Sequence, residues 1–343
     1  MESIKLLEKL CMADGISGNE DEVRDIIKNE IKLCSDEIKF DNLGSIIGIK
    51  KGEEDGLKIG LFAHMDEVGF IIKSIDDNGF IKVFPIGAWN IMMTTSMEVR
   101  VTNSLGEKFI GVLTTDKSGE IRSFDDFYVD LGFNSSEELR KRNIEEGNMI
   151  TPYRKFQYMG EEKVLAKALD DRLGCVLAVE TFKDYLDSKN TLFCVGTVQE
   201  EAGTRGGETS VDLINPDIAI VIDIASSKDT PNQKNGRRIG GGPALVYANK
   251  LFISNKKVYN FVKEICKEND IKFQFDIMNG GTDSGPVHLH KEGVITIELI
   301  IPIRNAHTSV SVFDINDFIE VKKLIKKILE ELNRDIYNEF KKY

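Results

Sequence analysis

The chain has 343 residues, of which 41% are hydrophobic and 30% charged. That length suits one large or two ordinary domains, and the apolar share supplies a real core, which excludes global disorder. With Lys+Arg at 45 and Asp+Glu at 57, the formal charge of −12 argues against general binding to nucleic acid or to an anionic membrane.

The opening MESIKLLEKLCMADG reads as an amphipathic helix with Leu6, Leu7, Leu10 and Cys11 on its inner face. It lacks the basic and apolar regions of a signal peptide, and no apolar run reaches the roughly 18 residues of a membrane span. Ser17-Gly18-Asn19-Glu20 fits a capping box, with Val23, Ile26, Ile27 and Ile31 giving the helical period behind it. Residues 45–50 (SIIGIK) and 58–63 (KIGLFA) read as strands, the second apolar enough to be buried on both faces. From about residue 68 to 163 the character changes to short β-like pieces, such as 98–102, 108–113 and 128–132, with Gly, Asn and Asp turns between them. Only residues 136–143 look helical there. After residue 163 the alternation returns. Residues 171–187 read as a helix, 191–198 and 217–225 as strands, and Ser254 as the cap of a helix carrying Val258, Phe261, Val262 and Ile265. Strands over 272–277 and 294–300 precede a long last helix opened by Asp314 or Asn316. Such alternation implies an α/β fold, a central mixed sheet with helices on both faces, interrupted by a small β-rich domain. The five cysteines are odd in number, far apart and free of CxxC, as expected of reduced core thiols in a cytoplasmic protein.

Four segments share one pattern, an apolar strand ending in carboxylate or imidazole. Residues 58–63 lead into His64-Met65-Asp66-Glu67, 191–198 into Gln199-Glu200-Glu201, 218–222 into Asp223, and 294–300, past Pro302, into His307. Ala168-Leu169-Asp170-Asp171 sits just before a helix. Open α/β sheets bind ligands beyond the carboxyl ends of their strands, so these groups are expected at one edge of one sheet. An isolated acidic pair carries little weight, because random order alone gives about ten in a chain this acidic. Repeated placement at strand ends, with two of only four histidines, carries more. Imidazole and carboxylate suit zinc, cobalt or manganese, and two histidines with three carboxylates suit a pair of divalent ions sharing one carboxylate. A carboxylate outside that set can take a proton from water. Glu200 and Glu201 are neighbours at a strand end, so strand geometry points them to opposite faces unless the chain turns there.

Gly15-Ile16-Ser17-Gly18-Asn19-Glu20, HMDEVGF from His64, ALDDRLG from Ala168, QEEAGTRGG from Gln199, Asp223, GGTDSG from Gly280 and PIRNAH ending at His307 follow one another along nearly the whole chain. In that order and spacing they resemble the M42 family of dinuclear metallo-aminopeptidases, the glutamyl or tetrahedral aminopeptidases. The resemblance implies an enzyme that releases N-terminal residues from short peptides, with two divalent metal ions per subunit, zinc or cobalt foremost and manganese accepted. It implies that His64 and Asp223 hold one ion, that Glu201 and His307 hold the other, and that Asp170 bridges them. Glu200 is then the general base and acid, working with a metal-bound hydroxide as nucleophile, and Asp66 orients His64. It also implies self-association to a homo-oligomer, up to a dodecamer, through the inserted domain over residues 70–163, with 1–69 and 164–343 forming the catalytic domain.

Three positions depart from the family pattern. Asn305 stands where Tyr is usual and Ser311 where Glu is usual, and the insert lacks a Pro-Pro-His stretch near residues 116–119. None of these removes a candidate ligand; they bear on substrate preference and assembly contacts. Two rivals stay open. One is another hydrolase on the same site, an endoglucanase or N-acyl hydrolase; a glucanase needs two carboxylates flanking a glycosidic bond and no metal. The other is a scaffold with a decayed site, against which all of the implied ligands and Glu200 are present. His288 and His290 are expected at the surface or a helix end, Gly240-Gly241-Gly242-Pro243 as a turn, and Gly280-Gly281 as a close backbone approach beside the site.

Overall fold

The computed structural model describes residues 2–117, 120–186, 189–233 and 236–342. Helices α1 (Glu2–Met12) and α2 (Asp21–Ile31) precede strands β1 (Glu37–Phe40), β2 (Ile46–Lys50) and β3 (Lys58–His64). The chain then leaves for β4 (Gly69–Ile75), β5 (Ile81–Ile86), β6 (Met97–Thr102), β7 (Lys108–Thr114), β8 (Tyr128–Asp130), a short helix α3 (Ser136–Arg140) and β9 (Met149–Pro152). It returns through β10 (Gln157–Met159) and β11 (Lys163–Ala166) into α4 (Leu169–Asp184) and β12 (Thr191–Thr197). Next come α5 (Arg205–Ile214), β13 (Ile218–Ser226), β14 (Ala244–Ala248), α6 (Lys256–Glu268) and β15 (Gln274–Ile277). The chain finishes with α7 (Ser284–His288), β16 (Ile295–Ile303), β17 (Ser311–Asp314), α8 (Ile315–Glu331) and α9 (Arg334–Phe340).

Eight strands form one mixed sheet in the order β1-β2-β12-β3-β13-β16-β14-β15. Its centre, β12-β3-β13-β16, is parallel, and β2 and β14 flank that centre in the antiparallel sense. A parallel centre has both faces covered, which is why β3 and β13 are continuous apolar runs. On one face Ile59, Leu61 and Ala63 join Leu173 and Val176 of α4 and Val321 and Ile325 of α8. On the other, Phe62 belongs with Val211 and Ile214 of α5 and Val287 of α7. No helix among the described residues is long and apolar enough to cross a membrane.

The excursion after β3 closes into a barrel, β4-β5-β8-β7-β6-β9, around Phe70, Ile72, Ile81, Val83, Val99, Val101 and Ile150. Short strands punctuated by turns suit this shape, and closure removes the unpaired edges that such strands would otherwise expose. Strands β10 and β11 stay outside the barrel and pair with each other, and β11 pairs in turn with β17. The chain therefore exits just after His64 and re-enters just before Asp170. A buried ionic cluster lies beside both crossings. The Lys167 ammonium donates to Glu67 at 2.5 Å and to the Ala13 carbonyl at 2.9 Å, and Arg172 donates to the Leu10 carbonyl at 2.7 Å. Asp14 pairs with Arg100 and Lys108 of the barrel and accepts from the Thr151 hydroxyl at 2.8 Å. Asp14, Glu67, Lys167 and Arg172 are buried, and charges so placed are tolerated only with partners.

Three local expectations change. No side chain caps α2, so Ser17 and Glu20 do not form a capping box; both are engaged elsewhere, as described below. Asn255 caps α6 through a bond from the Lys257 amide at 2.8 Å. Ser254 stands one residue before that cap, and its hydroxyl donates to the Asn255 carbonyl at 3.4 Å. Helix α4 ends at Asp184; residue 187, the expected end, lies outside the described residues, as do 118 and 119 in the stretch where the Pro-Pro-His was sought. Of the two candidates for opening α8, Asp314 is the cap. The 240–243 stretch is a turn whose Gly240 and Gly242 amides donate to Asp317 at 2.7 and 2.6 Å.

Candidate active site

Four parallel strands present their carboxyl ends along one edge. Strand β3 ends on His64, level with Thr197 of β12. Asp223 lies in β13, level with Ile300 of β16. His307 follows β16, and Asp170 sits in the first turn of α4. His64, Asp170, Glu200, Glu201, Asp223 and His307 all line one cleft of about 630 Å³. Asp66, fully buried, stands behind it.

Asp170 connects the two imidazoles. Its Oδ1 lies 3.0 Å from Nε2 of His64, and its Oδ2 lies 3.0 Å from Nε2 of His307. Asp223 approaches the same His64 nitrogen at 3.8 Å, and Glu201 approaches the same His307 nitrogen at 3.3 Å. The far nitrogen of each ring is already committed. Nδ1 of His64 faces the Asp66 carbonyl at 3.0 Å and a carboxylate oxygen of Asp66 at 3.5 Å. Nδ1 of His307 faces the Ala88 carbonyl, in the barrel loop after β5, at 2.6 Å. A carbonyl can only accept, so each Nδ1 carries the ring's proton and each Nε2 presents a lone pair when the ring is neutral. Those lone pairs point at carboxylate oxygens, an arrangement that calls for a cation between them.

Glu200 and Glu201 do not diverge as strand geometry alone would have it. The strand stops at Thr197, Gln199 takes a left-handed φ of 56°, and the turn that follows brings both carboxylates to the cleft. Asp66 holds this turn: Oδ1 accepts the Glu200 amide at 3.0 Å and Oδ2 the Glu201 amide at 3.1 Å. Gly280 and Gly281 line the cleft, but the expected close backbone approach is not there: a Cβ on Gly280 would meet nothing within 4 Å, and one on Gly281 would meet first the exposed Leu251 side chain.

The electrostatics follow from burial and crowding. Burial pushes Glu201 up to about 7, with Asp170 adding to the rise and His307 opposing it. Burial likewise raises Asp223 and Glu200 well above the usual carboxylate range, each aided by neighbouring carboxylates. Burial works against ionising Asp170 too, yet hydrogen bonds from His307 and His64 hold its carboxyl below the ordinary value. Burial opposes charge on His64, but Asp170 and Asp66 keep its pKa well above normal. A buried Glu201 oxygen has no hydrogen-bond partner. Nitrogen and oxygen donors, an orphaned carboxylate oxygen and mutually repelling acids together fit divalent cations. Among the described residues, two sets of side chains each bring one donor atom apiece to within 4.8 Å of the others in the set: His64, Asp170 and Glu201, and His64, Asp171 and Asp223.

Asp171 and the Ala88 carbonyl were given no part in the site by the sequence, and Ser17 and Glu20 were expected only as a helix cap. Asp171 is buried, accepts the Gly174 amide at 2.9 Å and leaves its other oxygen unpartnered; its signal was the Asp170-Asp171 pair itself. The remaining histidines stand apart. His288 faces the Ser284 carbonyl at 2.8 Å and packs edge-on against Phe252, and His290 lies 3.1 Å from Asn215.

Burial opposes charge on His307, but Glu201 and Asp170 raise its pKa from 6.5 to about 10. In metal-free protein those contacts therefore contribute stability that is complete below pH 6.5 and lost as pH rises through about 10. The gap in urea midpoint between metal-free wild type and His307→Gln is expected to be widest near pH 6.5 and to narrow steadily toward pH 10. A gap that stays flat or widens over that range contradicts this.

A profile of the M42 glutamyl aminopeptidase family matches residues 44–324. The chain is 30% identical over 357 aligned residues to the glutamyl aminopeptidase of Lactococcus lactis subsp. cremoris MG1363, covering 100% of both. Its fold superposes on aminopeptidase APDkam598 of the archaeon Desulfurococcus kamchatkensis with a TM-score of 0.96 at 31% identity, covering 100% of this chain and 98% of that one. It is also similar to the TET1 peptidase of Pyrococcus horikoshii, which can assemble into a tetrahedron or a large octahedral shell (TM-score 0.86, 27% identity, 96% of this chain and 100% of that one). A fold shared from end to end, and a family profile that spans most of the sheet, establish descent: this chain belongs to the M42 glutamyl aminopeptidase family, hydrolases that act on peptides.

Proposed function

We propose that this chain is a dinuclear metal-dependent aminopeptidase that releases N-terminal residues from short peptides. The observation that carries this reading is Asp170, whose two oxygens each stand 3.0 Å from a different imidazole Nε2. His64 and Asp223 would hold one divalent ion and His307 and Glu201 the other, with Asp170 facing both imidazoles. Bound there, zinc or cobalt, with manganese also accommodated, would supply Lewis-acid chemistry for the scissile carbonyl and for the attacking water.

The chain's own groups do the rest. Glu200 takes the water's proton and returns it to the leaving amine; burial raises its carboxyl above the ordinary carboxylate range, which makes it a stronger base for that transfer. Asp66 fixes the ring of His64, and the Ala88 carbonyl fixes that of His307. Acidic groups around the cleft favour the free ammonium of a peptide's first residue, which suits exopeptidase action. The barrel, within an inserted domain over 70–163, shapes the cleft through Ala88, while 1–69 and 164–343 form the catalytic domain. The free thiols of all five cysteines, four of them buried, support a reducing, cytoplasmic setting. Likeness to the Pyrococcus peptidase supports self-association to a homo-oligomer, up to a dodecamer. Light scattering should give a multiple of 38.6 kDa, and a monomer at working concentration would count against assembly.

Glu200 and Glu201 separate chemistry from binding. Glu200→Gln should lower kcat by about 10²–10⁴ while metal content stays near wild type, since the proton acceptor alone is lost. Glu201→Gln should lower metal content together with activity. The reverse pattern would exchange the two roles, and full activity in both variants would remove the basis of the dinuclear reading.

A further inference from the structure

Ser17-Gly18-Asn19-Glu20 has the spelling of a helix cap, yet it caps nothing. Glu20 immediately precedes α2, and its side chain makes no capping bond. Its carboxylate turns inward and is only 1% exposed. There Oε1 accepts the Gly18 amide at 2.7 Å and the Gln199 amide at 3.1 Å. The next two amides of that turn, from Glu200 and Glu201, end on Asp66. The Ser17 hydroxyl donates to the same Asp66 at 2.6 Å. Three consecutive backbone N–H groups, 199 to 201, therefore terminate on two buried carboxylates supplied from distant parts of the chain.

Gln199 needs such holding. A left-handed φ of 56° is uncommon for a residue with a side chain and persists where the surroundings impose it. Burying an acid here is costly: desolvation first, then the nearby Asp66 charge, raises Glu20 to about 7. At a helix N-terminus the favoured residues are Ser, Thr, Asp and Asn, so helix stability gives no reason for Glu at this position.

We propose that Glu20 is a positioning residue for the reaction: with Asp66 it pins the 199–201 turn and so aims the carboxylates of Glu200 and Glu201 into the cleft. Asp66 holds the middle and end of the turn, and Glu20 holds its entry. The proposal rests on the assignment of Glu200 as the proton carrier. A displacement of about 1 Å in such a group can cost about 10²-fold in rate.

The test compares Glu20→Asp with Glu20→Gln in the full-length protein. Aspartate keeps the charge but retracts the carboxylate by one methylene, out of reach of the Gln199 amide. It is also a good N-cap, so α2 and the fold are retained. Glutamine keeps the reach and the acceptor oxygen and removes only the charge. The first readout is amide hydrogen exchange of the peptide covering residues 197–203 in metal-free protein, which involves neither activity nor metal. The second is kcat against KM on an aminoacyl anilide with the metal-loaded enzyme. Glu20→Asp should speed exchange of that peptide and lower kcat, each by about tenfold or more, with KM within about threefold of wild type; Glu20→Gln should restore both to within about threefold. Unchanged exchange or unchanged kcat in Glu20→Asp, or equal damage in Glu20→Gln, overturns the proposal. Wild-type kcat in Glu200→Gln would instead overturn the assignment on which it rests, while the exchange measurement still decides whether Glu20 pins the turn.

Discussion

Negative charge crowded at one end of a parallel sheet is the constraint on which this structure turns. Asp170, Asp223 and Glu201 converge on two imidazoles, and among the described residues no lysine or arginine forms an ion pair with any of the three. Burying a carboxylate without a counter-charge costs several kcal/mol. In the metal-free protein the compromise is protonation: His64 and His307 rise, and Glu201 and Asp223 rise with them. Divalent cations relieve the same conflict without protons. Basic side chains are not scarce nearby; Lys167, Arg172 and Arg100 are used instead where the chain crosses between body and barrel.

The fold places that conflict by topology. Parallel strands β3, β12, β13 and β16 end on the same side, so their end portions and the short loops beyond them bring five side chains to one cleft, and the first turn of α4 adds Asp170. The barrel is inserted between His64 and Asp170, which meet at 3.0 Å across the site. Its seating therefore bears on the geometry of both. The buried Lys167–Glu67 pair lies three residues from each of them, and Asp14 ties the same region to Arg100 and Thr151 of the barrel. The Ala88 carbonyl extends the dependence to His307. Body and barrel together complete the site.

Much of this was legible in the sequence, and what was not has a physical reason. Strand ends bearing His64, Asp223 and His307 were readable because period and apolar content fix where a buried strand stops, and a parallel sheet then fixes which side its end faces. The barrel was readable as a change in character, although its closure was not, since closure depends on pairings between distant strands. Ser17 to Glu20 misled because a capping box and an inward-facing carboxylate share the same letters; only the partner, Gln199, distinguishes them. Glu200 and Glu201 were expected on opposite faces unless the chain turned there, and it does turn, at the left-handed residue Gln199. The contact between His307 and Ala88 spans more than two hundred positions and left no local signal.

The central claim is that these residues hold two divalent cations around Asp170. Metal analysis after stripping and reloading tests it most directly, applied to wild type, His64→Ala and His307→Ala. The account predicts about two divalent ions per chain in wild type and close to one in each variant, because each histidine serves a different ion. No more than trace metal in reloaded wild type, or two ions retained in both variants, would contradict it.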